Sequence, residues 1–201
     1  VSANKREENL QRAPLAISAV SSEQLELQGL SEIKDLSAIA PNLSVIGGTT
    51  NATAAVVSIR GIPSAADETQ GFDSPIGLYQ DGVFLARSSA ASFEVADIER
   101  VEVLRGPQGT LFGRNTTGGA INIVMKKPGT ERAGYVEAGI GRFGLYTARA
   151  SADLPISDKI LTKLSVYKVK DDGYAYQIST GNKLNDRDAT GLRGQVRLLP
   201  T

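Results

Sequence analysis

Apolar and polar residues alternate along the last part of the chain. In the segment 189–199, three apolar side chains and one glycine share a face: Leu192, Gly194, Val196 and Leu198. Three polar side chains share the opposite face: Arg193, Gln195 and Arg197. Strict alternation is the pattern of a β-strand whose two faces meet different surroundings. We therefore predict a long β-strand over 189–199.

Three further segments are typical of long strands. Residues 133–141 and 145–153 flank Arg142-Phe143-Gly144, which predicts a tight hairpin, and 160–169 is another candidate strand. Strands of about 9–11 residues are long enough to cross a bilayer at a tilt. The hairpin is short and the polar connection at 170–188 is long. This difference in length is similar to that between the short periplasmic turns and the longer extracellular loops of outer-membrane barrels. Alternation alone leaves two folds open, a soluble sandwich with its apolar face inside and a barrel with its apolar face outside.

The first part of the chain mixes helix and strand patterns. Ser21 with Gln24 three residues later fits a capping box, and Ser31 and Pro41 are expected to bound a second helix. Strands are predicted at 15–20, 43–46, 55–60, 75–80, 100–104 and 120–125. The last two are nearly continuous apolar runs, as expected of strands that are covered on both faces. These patterns predict a compact α+β domain with long loops.

The absence of two residue types excludes several kinds of active site. The chain has no histidine and no cysteine, so it cannot supply an imidazole base, a thiolate nucleophile or the usual zinc ligands. A hydrolase would have to use carboxylates, and Glu99 and Glu102 lie three residues apart on a predicted strand. That spacing places them on opposite faces, whereas a catalytic pair must converge on one bond. We therefore predict no enzymatic activity, no metal site and no cofactor.

Charge and hydropathy limit the possible partners. The 22 basic and 22 acidic residues give a net charge of zero, so there is no electrostatic reason to expect a nucleic acid partner. No apolar run approaches the ~18–20 residues of a membrane-spanning helix. A membrane role would therefore depend on β-strands.

Three segments carry a resemblance to a known family. They are 57–62 (VSIRGI), 75–83 (PIGLYQDGV) and 97–128 (DIERVEVLRGPQGTLFGRNTTGGAINIVMKKP). In order and spacing they resemble the plug of TonB-dependent outer-membrane receptors. The resemblance covers residues 1 to about 128, and residues 129–201 are similar to the first barrel strands of the same family.

The resemblance implies a fold and a location. An α+β plug domain over 1–128 would sit in the lumen of a barrel of about 22 strands, and 129–201 would supply antiparallel strands of an incomplete transmembrane β-barrel. Four strands cannot close a barrel and would leave an open edge in the bilayer, so we expect the chain to be a fragment. The resemblance places the protein in the outer membrane of a Gram-negative bacterium, with the plug facing the periplasm and the barrel lumen.

The resemblance also implies a transport function. Family members take up ferric siderophores, haem, vitamin B12, sugars or other organic compounds, with energy supplied through TonB. The Arg114-Asn115-Thr116-Thr117 form of the third segment resembles receptors for iron complexes. The expected partners are TonB with its inner-membrane energising complex, a small-molecule ligand such as a ferric siderophore, and outer-membrane lipid.

Two groups of residues would serve the movement of the plug. Arg60 and Arg105 each precede a glycine at the end of a strand-like run, and in the family such arginines pair with acidic groups of the plug and barrel wall. We assign Glu99 and Glu102 to the same plug–barrel contacts. At the N-terminus, Val1-Ser2-Ala3 resembles the end of a TonB box, which would pair with TonB by adding a strand to a sheet edge.

Ligand contacts are expected in the plug loops that face outward in the family, at about 47–54, 61–73 and 86–92. The candidate residues are Asp67, Glu68, Gln70, Phe72, Asp73, Arg87, Ser88 and Ser89. The alternatives to a receptor are a soluble β-rich binding module, which would be stable in water without detergent, and a carboxylate-based hydrolase.

Overall fold

The computed structural model describes residues 16–28, 33–47, 55–64, 73–86, 97–184 and 186–200. These residues fall into two compact units that divide between Met125 and Lys126. In the described ranges, no helix has both the length and the apolar character needed to cross a membrane.

The first unit begins with a strand and a capped helix. Strand β1 (Ile17–Ser21) leads into helix α1 (Ser22–Leu27), and the predicted capping box is present. The Gln24 amide donates to Ser21 Oγ at 3.4 Å, and the Ser21 amide donates to Gln24 Oε1 at 3.2 Å. The second predicted helix is a 3-10 helix over Ile33–Ala38.

Two sheets complete the first unit. One is small and contains β2 (Leu43–Gly47), β3 (Ala55–Ile59) and β4 (Ile62–Pro63). The other has the order β1-β7-β8-β5-β6 and adds β5 (Ile76–Gln80), β6 (Val83–Phe84), β7 (Ile98–Arg105) and β8 (Gly119–Met125). Helix α2 (Gly109–Phe112) lies in the loop between β7 and β8.

Strand β8 is the centre of the larger sheet and is buried along its whole length, as its apolar sequence predicts. It pairs antiparallel with β7 and parallel with β5. Successive side chains point to opposite faces of the sheet, so each face has its own apolar cluster. The main core joins Ile121 and Ile123 of β8 to α1, the 3-10 helix and the small sheet. The smaller cluster contains Tyr79, Leu104, Phe112 and Ala120.

The second unit is an open antiparallel sheet in the order β14-β11-β10-β9. Its strands are β9 (Ala133–Ile140), β10 (Tyr146–Asp153), β11 (Ile160–Asp171) and β14 (Arg187–Leu198). The predicted hairpin is confirmed, with a 3-10 turn at Arg142–Gly144. A separate two-stranded hairpin of β12 (Ala175–Tyr176) and β13 (Lys183–Leu184) lies in the connection between β11 and β14.

The prediction drawn from the connection lengths was wrong in one respect. The short turn at 142–144 and the long connection between β11 and β14 are not at opposite ends of the sheet. The amide of Asp172 donates to the carbonyl of Phe143 at 2.9 Å, and the rings of Phe143 and Tyr174 are 6.3 Å apart. In an antiparallel meander the first and third connections share an end, so the connection at the other end is 154–159.

Candidate functional site

In its central rows, the sheet of the second unit exposes apolar side chains and buries polar ones. Along β11, Leu164 and Val166 are 48% and 41% exposed. Their neighbours Lys163 and Ser165, which point the other way, are only 7% and 5% exposed. A water-soluble sheet has the reverse arrangement.

The strand register carries this exposed apolar row across all four strands. Val166 lies opposite Ala150 of β10 and Leu192 of β14, and Ala150 lies opposite Val136 of β9. Val136 and Leu192 are largely exposed. An outward apolar face with polar residues inside is the arrangement of a sheet that faces lipid. The burial therefore decides the question that alternation left open, and it contradicts a soluble sandwich.

The buried face of the same sheet is held by polar contacts. The hydroxyls of Ser151 and Ser165 are 3.1 Å apart. Arg149 Nη1 lies 3.5 Å from Glu137 Oε1 on the neighbouring strand. The serine pair is buried and satisfied, whereas the Arg149–Glu137 pair reaches the surface, because Glu137 is 57% exposed.

The first unit contains a charge network centred on Arg100. Arg100 Nε donates to Glu102 Oε1 at 2.8 Å, and its Nη1 contacts the carboxylate of Glu99. Glu102 has no exposed surface, and its Oε2 accepts a hydrogen bond from Asn122 Nδ2 at 3.1 Å. The network runs from the half-exposed Glu99 into the interior of the unit.

This geometry corrects the alternation argument for Glu99 and Glu102. The pairing of β7 with β8 is irregular between Ile98 and Arg100, where a β-bulge interrupts the alternation. Both carboxylates therefore reach the same guanidinium, although the three-residue spacing predicted opposite faces. A carboxylate pair that is neutralised by one arginine suits a structural role, as predicted on other grounds.

Arg60 and Arg105 lie at the ends of their strands, and the Arg60 side chain reaches the glycine that follows Arg105. Arg60 has a positive φ of 52° in the tight turn between β3 and β4, and its amide donates to the carbonyl of Asn42 at 2.9 Å. Its Nη1 lies 3.5 Å from the point where a Cβ on Gly106 would be. Arg105 Nε is buried and has no hydrogen-bond partner within the described part of the chain. A buried donor without an acceptor is costly, so an acceptor from elsewhere would stabilise it.

The loop between β7 and β8 is closed by its own hydrogen bonds. Gly106 N donates to Gly118 O at 3.2 Å, and Gln108 N donates to Thr116 O at 2.9 Å. The Tyr79 hydroxyl donates to the carbonyl of Phe112 at the centre of the loop. Burial raises the pKa of the Tyr79 phenol, which keeps it protonated as a donor.

The predicted ligand contacts are only sparsely described. Asp73 is exposed just before β5. The other seven candidates lie outside the described residues: Asp67, Glu68, Gln70, Phe72, Arg87, Ser88 and Ser89. The TonB-box-like residues Val1, Ser2 and Ala3 also lie outside them. No group of three acidic side chains converges as a metal site in the ranges that the structure describes.

Sequence reasoning missed Arg100, Asn122 and the Tyr79–Phe112 contact. Arg100 begins and Asn122 interrupts an apolar run that was expected to be buried, and a polar residue in such a run is itself a sign of a buried polar pair. No comparable sign marks Tyr79, because its partner is a backbone carbonyl 33 residues away.

Comparison with known proteins adds the family context. The profile of the TonB-dependent receptor plug domain matches residues 9–120. The chain is 32% identical over 178 residues to the pesticin receptor of Yersinia enterocolitica, covering 88% of the chain and 25% of the receptor. It is also 32% identical over 135 residues to the iron-regulated outer membrane virulence protein of Vibrio cholerae, covering 64% of the chain and 20% of that protein.

The solved structures include a similar fold. The ferric yersiniabactin uptake receptor FyuA from Yersinia pestis superimposes with a TM-score of 0.85 and 27% identity, covering 100% of this chain and 31% of the receptor. The chain therefore spans about a fifth to a third of the length of these relatives.

Proposed function

The chain belongs to the TonB-dependent receptor plug domain family, and we propose that it forms the plug and first wall strands of an outer-membrane receptor. The receptor takes up a chelated-iron complex or another organic ligand with energy supplied through TonB, and it performs no chemistry on the ligand. The plug spans residues 1–128 and controls access to the barrel lumen, and residues 129–201 belong to the wall.

The observation that carries this proposal is the inverted burial of the second unit. Leu164 and Val166 are exposed while Lys163 and Ser165 are buried, and the register continues the exposed apolar row over all four strands. A sheet with this pattern gains stability where its outer face meets hydrocarbon and its inner face meets polar groups. A receptor barrel in the outer membrane supplies both surroundings.

Arg60 and Arg105 are the residues that we propose to hold the plug in the wall. The Arg60 guanidinium lies beside Gly106, the neighbour of Arg105, and Arg105 carries a buried donor that no described residue satisfies. A guanidinium pairs with carboxylates in a fixed bidentate geometry, so acidic groups of the wall would complete the contact. Glu99 is half-exposed and can join such contacts, whereas Glu102 stabilises Arg100 from within.

The ligand class follows from the relatives. The Vibrio cholerae protein is named as iron-regulated and the Yersinia pestis structure as a ferric yersiniabactin uptake receptor. We therefore propose a siderophore-like ferric chelate, bound by the outward plug loops that contain Asp67, Phe72, Asp73 and Arg87. TonB would engage the N-terminal segment that begins with Val1, Ser2 and Ala3.

The abundance of the protein in isolated outer membranes tests this proposal. Cells of the native organism are grown with iron and without it, and peptides of the chain are quantified in outer-membrane and soluble fractions. We expect the peptides in the outer membrane and a strong rise under iron limitation. Presence in the membrane without an iron response would indicate that the ligand is another organic compound and not a ferric chelate. Peptides found only in the soluble fraction would refute the proposal of a receptor.

A further inference from the structure

The segment that follows the first unit is attached to the sheet of the second. We call residues 126–132 the strap. It precedes β9, and Pro128 in its middle is buried. Two polar side chains of the sheet, Asp153 and Gln195, bind its backbone on either side of Pro128.

The first attachment is the carboxylate of Asp153 at the end of β10. Asp153 Oδ1 accepts a hydrogen bond from the Gly129 amide at 3.0 Å. Its other oxygen lies 3.8 Å from Nζ of Lys163, whose side chain is only 6% exposed. Hydrogen bonds to charged acceptors are stronger than those between neutral groups, and low exposure reduces competition from water.

The second attachment is the amide of Gln195 on β14. Oriented to satisfy both of its neighbours, this amide donates to the carbonyl of Lys126 at 3.2 Å and accepts from Arg193 Nη2 at 3.2 Å. The attached backbone groups of Lys126 and Gly129 are three residues apart, so the strap is fixed in direction as well as in position.

The two attachments belong to a single row of the sheet. Asp153 lies opposite Lys163 on β11, and Lys163 lies opposite Gln195 on β14. All three face the buried side. The strands already pair through their backbones, so the row is not needed to join them. Burying a lysine and an aspartate carries a desolvation cost, and the hydrogen bond from the Gly129 amide to Asp153 offsets part of it.

We propose that the strap is a fixed anchor, which stays bound to Asp153 and Gln195 while the first unit opens. In the proposed receptor, the plug would then move while its C-terminal end stays fixed to the wall. The anchor belongs structurally to the wall, so the end of the plug would move from residue 128, where the family resemblance places it, to Met125. Only the role of the anchor during transport rests on the proposed function, since the attachment itself can be tested without a ligand.

Hydrogen exchange in increasing urea tests the attachment on the full-length, detergent-solubilised protein that carries this chain. We expect peptides covering 126–132 to lose protection together with β10 and β11, at higher urea than β7 and β8. Asp153→Asn and Gln195→Ala should each lower strap protection about tenfold or more, while Asp158→Asn, in an exposed turn, should leave it unchanged. Exchange of the strap together with the first unit would overturn the proposal.

A disulfide supplies a second measurement that does not depend on variants weakening the fold. A Cβ on Gly129 would lie 3.5 Å from Asp153 Cγ, the position that a cysteine sulfur would take, so the pair Gly129→Cys and Asp153→Cys fits a disulfide after a small adjustment. The chain has no other cysteine. If the strap is a fixed anchor, oxidation will not change the urea dependence of exchange in β7 and β8. Slower opening of the first unit in the oxidised protein than in the reduced protein would show that the strap must detach.

The two proposals fail in different ways. A soluble, iron-independent protein would refute the receptor and leave the exchange result standing. A strap that opens with the first unit would refute the anchor, whatever the location of the protein.

Discussion

The carboxylate of Glu102 accepts a hydrogen bond from Arg100 Nε at 2.8 Å in the interior of the first unit. Glu102 is completely buried, while the Arg100 side chain is 19% exposed and also reaches Glu99. The two carboxylates therefore share one partner at different depths. Their contributions to stability should differ for that reason.

Removing the buried member should be costly. We expect Glu102→Ala to destabilise the first unit by about 3–5 kcal/mol, because Arg100 and Asn122 lose a buried partner. The matched variant Glu99→Ala should cost less than about 1 kcal/mol, since an exposed ion pair is worth little. Urea dependence of hydrogen exchange in β7 and β8 measures both, and equal losses would contradict the assignment of depth.

Gly77 is expected to be intolerant of a side chain. A Cβ at this position would lie 2.5 Å from Tyr79 Cε2 and 2.7 Å from Thr116 Cγ2. Gly77→Ala should therefore destabilise the first unit by about 1–3 kcal/mol through overpacking. Gly109→Ala is the control, because a Cβ there meets nothing within 4 Å and alanine favours the helix. Thermal denaturation of the two variants distinguishes them, and similar midpoints would refute the close packing.

The β12–β13 hairpin should open in acid. Lys183 Nζ lies 2.9 Å from Asp172 Oδ2, and this hydrogen bond holds the pKa of Asp172 below its ordinary value. A lowered folded-state pKa means that the stabilisation is present above the ordinary aspartate range, about 3.9, and is lost as the pH falls through the lowered pKa. Exchange of the Gln177 amide, which donates to Asn182 O, reports the opening.

Variants of the same pair separate this effect from general acid unfolding. Asp172→Asn should increase exchange at neutral pH and remove the acid transition of the hairpin. Asp186→Asn, an exposed carboxylate nearby, should leave the transition in place. An unchanged transition in Asp172→Asn would show that another group is responsible.

The exposed apolar face should reject charge according to depth. We expect Val166→Arg, in the middle of β11, to cost about 2–4 kcal/mol of membrane-inserted stability. Thr190→Arg lies on the same face nearer the strand end and should cost about 1 kcal/mol or less. The fraction of protein that reaches the outer membrane in a protease-resistant form is the measurement. If both variants assemble equally well, this face does not meet hydrocarbon.

Loss of Arg60 and Arg105 should loosen the proposed plug. The double variant Arg60→Gln and Arg105→Gln would remove the cations that acidic wall groups are proposed to bind. We expect cells that produce this variant to become several-fold more sensitive to a large glycopeptide antibiotic that the outer membrane normally excludes. Arg114→Gln, on the exposed part of the β7–β8 loop, should leave sensitivity unchanged. A sensitivity shared by both variants would indicate misfolding instead of loosening.

Much of the fold could be predicted from local patterns. The capping box at Ser21, the buried run of β8 and the hairpin at 142–144 depend on neighbours in sequence, and the structure confirms them. The direction of the apolar face could not be predicted, because alternation has the same period whether Leu164 or Lys163 faces inward. Only the burial of a folded sheet decides it.

The other features that the sequence did not predict have two kinds of physical cause. The bulge beside Glu99 shifts the alternation by one residue, and nothing in the local sequence announces it. The row of Asp153, Lys163 and Gln195 depends on the register of strands up to 42 residues apart, from Asp153 to Gln195. The loops thought to contact the ligand cannot be judged in the same way, so those assignments stay predictions.

The boundary between Met125 and Lys126 has a consequence for protein engineering. The Met125 amide donates to Asp81 Oδ1 at 2.8 Å within the first unit, while the Lys126 carbonyl accepts from Gln195 within the second. The residue on each side of this peptide bond is thus hydrogen-bonded within its own unit. Hybrid receptors that exchange one module for another should be spliced at this bond, with Asp81 travelling with the incoming plug and Asp153, Lys163 and Gln195 remaining with the host.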